Sequence, residues 1–176
     1  MEALIVVDMQ KDFCYPEGAL YIGDHVREIF KPIREVIEKF EGKPVIFTQD
    51  WHRKDDPEFK IWKPHCIQNT WGSEIIDELS PSEDDYYIKK RKYSAFFGTD
   101  LDLTLRDLNV NCIFVCGVVT NICVLHTVAD AVMRGYDVFV LKDCTAAPTK
   151  YDYEYGIRHM RDILNAKLTT SHEIHL

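Results

Sequence analysis

Apolar residues alternate along this chain between runs of strand character and spacings of helical character. Ala3 to Val7 is a short continuous apolar run, the pattern of a strand buried on both faces. Val26, Ile29, Phe30, Ile33, Val36, Ile37 and Phe40 then recur at helical spacing, and Gly42 followed by Pro44 reads as the stop signal. Val45 to Phe47 predicts a second strand, Tyr86 to Ile88 a third, Cys112 to Cys116 a fourth, Val138 to Leu141 a fifth and Lys167 to Thr170 a sixth. Helical patterns cover Leu101 to Leu108, Thr120 to Arg134 (closed by Gly135) and Tyr153 to Leu164. Residues 50 to 72 carry Pro, His, Trp and Asp without a period, which predicts a long functional loop. No repeat, low-complexity stretch or linker interrupts the series. The pattern predicts one α/β domain over residues 1–176, three layers deep, with a central, mostly parallel six-stranded sheet covered by helices on both faces.

Composition narrows the function. Hydrophobic residues make up 46% of the chain, enough for a sizeable core. The formal charge is −8 and the longest basic block is Lys89-Lys90-Arg91-Lys92, which argues against nucleic acid as a partner. No apolar run approaches the length of a membrane span, and Met1-Glu2-Ala3-Leu4 lacks the basic start of a secretory signal. The cysteines at 14, 66, 112, 116, 123 and 144 form no CxxC pair, so free thiols in a reducing cytoplasm are expected.

Ligand sites in such folds lie beyond the carboxyl ends of the strands. Asp8 follows the first predicted strand, Asp50 and His52 the second, Lys89 and Lys90 the third, and Cys123 the fourth. The segment Gly117-Val118-Val119-Thr120-Asn121-Ile122-Cys123 carries its cysteine into the start of a helix, where unpaired N–H groups favour a thiolate and can hold an oxyanion. A cysteine, a lysine that favours its anion and a carboxylate that takes and returns its proton suit attack on an amide carbonyl through a thioester. Asp50 and His52, two apart on an extended chain, project to the same side. With His65 they make two imidazoles and a carboxylate, a set that suits Zn²⁺ or Fe²⁺, and Glu58 is a further candidate oxygen ligand.

The chain resembles the isochorismatase-like cysteine hydrolases and, within them, the nicotinamidases. Five stretches carry the resemblance: Val6-Val7-Asp8-Met9-Gln10-Lys11-Asp12-Phe13, Phe47-Thr48-Gln49-Asp50-Trp51-His52, Trp62-Lys63-Pro64-His65-Cys66, Tyr93-Ser94-Ala95-Phe96-Phe97-Gly98-Thr99-Asp100-Leu101, and Gly117 to Cys123 continuing to Thr127. The resemblance implies Cys123 as nucleophile, Asp8 as base and then acid, and a lysine four residues before the serine of the S-A-F motif. That count reaches Lys90. Lys89 and Lys92 are its neighbours and stay open, although strand alternation puts Lys89 on the opposite face. It also implies a cis peptide between Val118 and Val119, an oxyanion hole from the N–H groups of Val119 and Cys123, and a divalent metal on Asp50, His52 and His65. Zinc is the first expectation for that metal, with iron or manganese as alternatives. A pyridine nitrogen would face the metal, Glu58 would lie beside it, and Phe13 and Trp62 would wall the ring. His126 is read as a packing residue rather than the base. Asn121 stands where many nicotinamidases have aspartate.

The implied reaction is hydrolysis of nicotinamide to nicotinic acid and ammonia, in pyridine nucleotide salvage. Alternatives are an N-carbamoylsarcosine amidase-like or ureido-amide cysteine hydrolase and, with a lower expectation, a non-enzymatic binding module on the same fold. Self-association as a homo-oligomer is expected from the family.

Overall fold

A computed structural model describes residues 1–79 and 81–174. Six strands form one sheet: β1 (Glu2–Val7), β2 (Val45–Asp50), β3 (Tyr86–Lys90), β4 (Cys112–Val118), β5 (Asp137–Ala146) and β6 (Lys167–Thr169). Their order is β3-β2-β1-β4-β5-β6, and every ladder is parallel, so the mostly parallel expectation sharpens to an all-parallel sheet. Strand order reverses at β1, which pairs with both β2 and β4. Such a switch point opens a crevice beyond the carboxyl ends of the strands.

The alternation of β1 explains the layers. Leu4 and Val6 enter one core with Phe47, Phe114 and residues of α2 (Phe30–Lys39). Ala3, Ile5 and Val7 enter the other, with Leu101 and Leu105 of α3 (Leu101–Asp107), Leu125 and Val128 of α4 (Leu125–Met133) and Met160 of α5 (Lys150–Asp162). These elements are numbered after α1 (Lys11–Cys14), a single buried turn that carries no helical period and that the sequence pattern does not show. Among the described residues no helix is long and apolar enough to cross a membrane.

Several predicted boundaries move, and three of them bear on the site. β2 continues past Phe47 through Thr48, Gln49 and Asp50, because those polar residues pair with Ile88, Lys89 and Lys90. β5 runs on to Ala146 through a register shift against β4. The helix expected from Thr120 opens with a wide π-helical turn, Thr120–Val124, before α4 begins. Within the 50–72 loop, two short 3₁₀ turns, Pro57–Lys60 and Trp71–Ser73, supply local order.

Gly117, at φ +105°, lets β4 press against β1: a Cβ there would stand 2.1 Å from the Val7 carbonyl oxygen. Both the backbone conformation and the contact exclude a side chain. Gly117→Ala is expected to lower unfolding free energy by about 2–5 kcal/mol in a denaturant titration.

Candidate active site

The carboxyl ends of β1 to β4 bring Asp8, Asp50, Lys90 and Cys123 together. Lys90 is the last residue of β3, and its alternation with Lys89 decides their fates: Ile88 and Lys90 are buried while Lys89 turns outward onto the Trp51 ring, 3.9 Å from its centroid. The Lys90 ammonium donates to Asp50 Oδ1 at 2.5 Å and to the Lys92 carbonyl at 2.9 Å, and it forms an ion pair with Asp8 Oδ2 at 2.8 Å. Cys123 Sγ lies 3.5 Å from the same nitrogen. Asp8 Oδ1 accepts the Thr48 hydroxyl at 2.6 Å, and the Asp8 N–H donates to the same hydroxyl oxygen at 3.1 Å. The triad-type residues therefore meet, and Lys90 is the lysine among them. Lys92 is half-exposed, and its ammonium lies 3.7 Å from Glu58.

The electrostatics of the cluster oppose the helix start. A thiolate was expected from the helix start, but Cys123 is buried beside two carboxylates. Burial pushes the thiol well above its usual value, and although Lys90 opposes this, Asp8 and Asp50 add to it. Burial and the two carboxylates thus favour the thiol over the thiolate. Asp8 moves in the same direction: burial raises its carboxyl, Lys90 opposes and Asp50 reinforces, which makes it a stronger base than an ordinary aspartate. Asp50 ends below the carboxylate range, because Lys90 and the two imidazoles outweigh burial. Lys90 ends above its usual range, because the two carboxylates outweigh the cost of burying it.

Asp50 faces two ways. Its Oδ1 holds Lys90, while its Oδ2 stands 3.5 Å from His52 Nε2 and 3.6 Å from His65 Nε2. The far nitrogens of both rings are already committed. His52 Nδ1 meets Asp56 Oδ2 at 3.0 Å, and His65 Nδ1 meets the Lys63 carbonyl at 2.9 Å. Since those partners accept, each Nδ1 carries the proton in the neutral ring and each Nε2 presents a lone pair. His52 Nε2 is buried without a hydrogen-bond partner, and the ligand atoms of Asp50, His52 and His65 lie within 4.8 Å of one another. An unsatisfied buried nitrogen opposite a second imidazole and a carboxylate is a donor set that fits a divalent cation. Burial lowers the His52 pKa, but Asp50 and Asp56 outweigh it and raise it, so a cation there competes with a proton. Glu58 is buried close by, its carboxyl raised by burial and by the charge of Asp50.

Both halves open into a cavity of about 350 Å³ lined by Phe13, Leu20, Ile22, Trp62, Tyr93 and Ile122, with Asp50, Glu58, His65 and Cys123 at its polar end. Phe13 and Trp62 thus line the cavity, and the Trp62 indole N–H donates to the Tyr93 hydroxyl at 3.0 Å. The peptide between Val118 and Val119 is cis, and both residues line the same cavity. Asn121 turns instead to α5, donating to Asp152 at 3.3 Å, and the exposed His126 ring sits on the Ile122 carbonyl at 2.7 Å.

Sequence reasoning missed Thr48, Tyr93 and Asp56. Asp56 had a local signal: Asp56-Pro57-Glu58 is a capping aspartate before a proline, and its Oδ1 accepts the Glu58 N–H at 3.0 Å. Thr48 and Tyr93 had none beyond their place inside the motifs.

Lys90→Ala would leave Asp8 and Asp50 buried without a cation between them. It is expected to cost about 3–5 kcal/mol of stability by denaturant titration, against under about 1 kcal/mol for Lys89→Ala, which loses only the contact with Trp51.

The fold and sequence have known relatives. The chain is similar to an N-carbamoylsarcosine amidase from Thermoplasma acidophilum (37% identity, 99% of each chain covered, TM-score 0.90). It is similar to a pyrazinamidase of Pyrococcus horikoshii solved in complex with zinc (36% identity, 96% of this chain and 98% of that one, TM-score 0.89). It is also similar to a pyrazinamidase/nicotinamidase from Streptococcus mutans (34% identity, 96% of this chain and all of that one, TM-score 0.91). A family model described as the isochorismatase domain matches residues 2–173, and the chain belongs to that family of hydrolases.

Proposed function

We propose that residues 1–176 act as one amidohydrolase domain that converts nicotinamide and water to nicotinic acid and ammonia, with Cys123 as nucleophile. The observation that supports it best is the shared cavity: Cys123, Asp50 and His65 line one end of a space walled by Phe13, Trp62 and Tyr93, and His52, buried behind them, completes the donor set. An aromatic ring held between those walls can turn an amide to the thiol and a ring nitrogen to the donor set.

The chemistry follows from the charges. As Cys123 Sγ attacks the amide carbon, its proton passes to Asp8, which has one carboxylate oxygen within 4.8 Å of Sγ and whose basicity burial has raised. Lys90, 3.5 Å from Sγ, favours the sulfur as it gains negative charge. The Val119 and Cys123 N–H groups take the oxyanion. Collapse breaks the C–N bond, Asp8 returns the proton to the nitrogen, and ammonia leaves a thioester. Asp8 then takes a proton from water as its oxygen attacks that thioester, and the thiol and acid are released. A bound divalent cation, zinc by likeness to the Pyrococcus horikoshii structure, would supply a Lewis-acid contact for the ring nitrogen.

A second reading is an N-carbamoylsarcosine amidase-like or ureido-amide hydrolase, favoured by the likeness to the Thermoplasma acidophilum enzyme. The triad chemistry is common to both. The nicotinamide reading gives the donor set a pyridine nitrogen to orient, a ligand that suits a cation held by two imidazoles and a carboxylate.

Cys123→Ala is expected to cut ammonia release from nicotinamide by more than about 10³-fold while keeping fold and bound zinc; retained turnover contradicts the nucleophile assignment. His52→Ala is expected to lower bound zinc and nicotinamide turnover together, measured by elemental analysis beside the ammonia assay. Loss of metal with turnover intact would detach the cation from the reaction. Turnover of N-carbamoylsarcosine in preference to nicotinamide would favour the second reading.

A further inference from the structure

Asp12 is a buried carboxylate that the proposed mechanism leaves unused. It lies on α1, four residues after Asp8, and each of its oxygens takes a backbone N–H from a different part of the site. Oδ2 accepts from Cys66 at 2.7 Å, and Oδ1 accepts from Ala19 at 2.8 Å. Hydrogen bonds to an ionised acceptor are among the stronger ones.

The Cys66 arm reaches both imidazoles. Cys66 directly follows His65 and holds a left-handed backbone at φ +43°. Its carbonyl accepts the His52 N–H at 3.0 Å, and the Gln68 N–H returns to the His52 carbonyl at 2.9 Å. One residue, Cys66, thus ties the segment of His65 to that of His52 through the peptides on its two sides, and Asp12 holds the first of them. The Ala19 arm reaches the substrate wall. Leu20 donates to the Asp12 carbonyl at 3.0 Å and Ile22 to the Phe13 carbonyl at 3.0 Å, so residues 19 to 22 lie along α1. Ala19, Leu20, Tyr21 and Ile22 all line the cavity. Gly72 closes the cradle from the third side: a Cβ there would meet the Asp12 carboxylate at 2.2 Å.

We propose that Asp12 is a positioning residue that sets the metal cradle and the substrate wall together, one oxygen for each. It touches neither substrate nor cation. The proposal rests on the reading of Asp50, His52 and His65 as metal ligands. It predicts that substitution acts on zinc affinity and on KM more than on the chemical step. Asp12→Asn keeps the shape but turns an NH₂ group toward one of two N–H donors, so one arm is lost. Gly72→Ala leaves Asp12 in place and displaces its carboxylate.

The test titrates metal-free wild type, Asp12→Asn and Gly72→Ala with zinc against a chromophoric chelator, then measures KM and kcat for nicotinamide at saturating zinc. Expected are a 10–100-fold loss of zinc affinity in both variants, the range seen when a partner behind a metal ligand is removed, and a raised KM with kcat within about 3-fold of wild type. Folded variants with wild-type zinc affinity and KM overturn the proposal. So does loss of the fold in both variants, which would assign Asp12 to the scaffold instead. A wild type that binds no zinc overturns the metal reading and this proposal with it, whereas wild type and variants that bind zinc alike overturn this proposal alone.

Discussion

Lys90 is a fully buried cation between two fully buried carboxylates, and the rest of the site is arranged around that triplet. Removing any of these charges from water is costly, and the cost is offset only because each finds a partner in good geometry. The sheet makes this possible. β1, β2 and β3 are neighbours in parallel register, so Asp8, Asp50 and Lys90 leave it at one edge, and Asp50 pairs directly with Lys90 across the β2–β3 ladder. β4 then adds Cys123 from the other side of β1. Asp50 is the hinge of the arrangement: one oxygen belongs to the lysine, the other to the two imidazoles.

This sharing explains why the thiol is not the ready-made anion that a helix start suggests. The lysine charge is already committed to two carboxylates, so a thiolate would add a further negative charge to a dry cluster. The proton has to leave Cys123 as the new bond forms. Asp8, made more basic by the same burial, is suited to receive it. One environment raises both groups, and the raised base matches the raised acid.

Much of this was legible in the chain, and the parts that were not share a cause. The continuous run of Ala3 to Val7 announced a strand buried on both faces, and the positions of Asp8, Asp50, Lys90 and Cys123 after successive strands announced an edge rich in ionisable groups. Lys89 and Lys90 could not be separated with certainty until β2 fixed which face of β3 looks inward. Thr48 to Asp50 fell outside the predicted second strand because polar residues in a strand make sense only beside the strand they pair with. α1 is four residues long and wholly buried, too short for any period to register, yet it carries Asp12 and Phe13. The helix start favours a thiolate and burial opposes it; local sequence shows the helix start and not the two carboxylates that the fold brings beside it.

The central claim is acyl transfer through Cys123, and interception of the acyl group tests it most directly. Hydroxylamine added during turnover of nicotinamide competes with water for a thioester. The account predicts nicotinohydroxamic acid in proportion to hydroxylamine, at the expense of nicotinic acid, with ammonia still released one for one, and no such product from Cys123→Ala. Nicotinic acid as the sole product at every hydroxylamine concentration, or hydroxamate formed equally by Cys123→Ala, would contradict it.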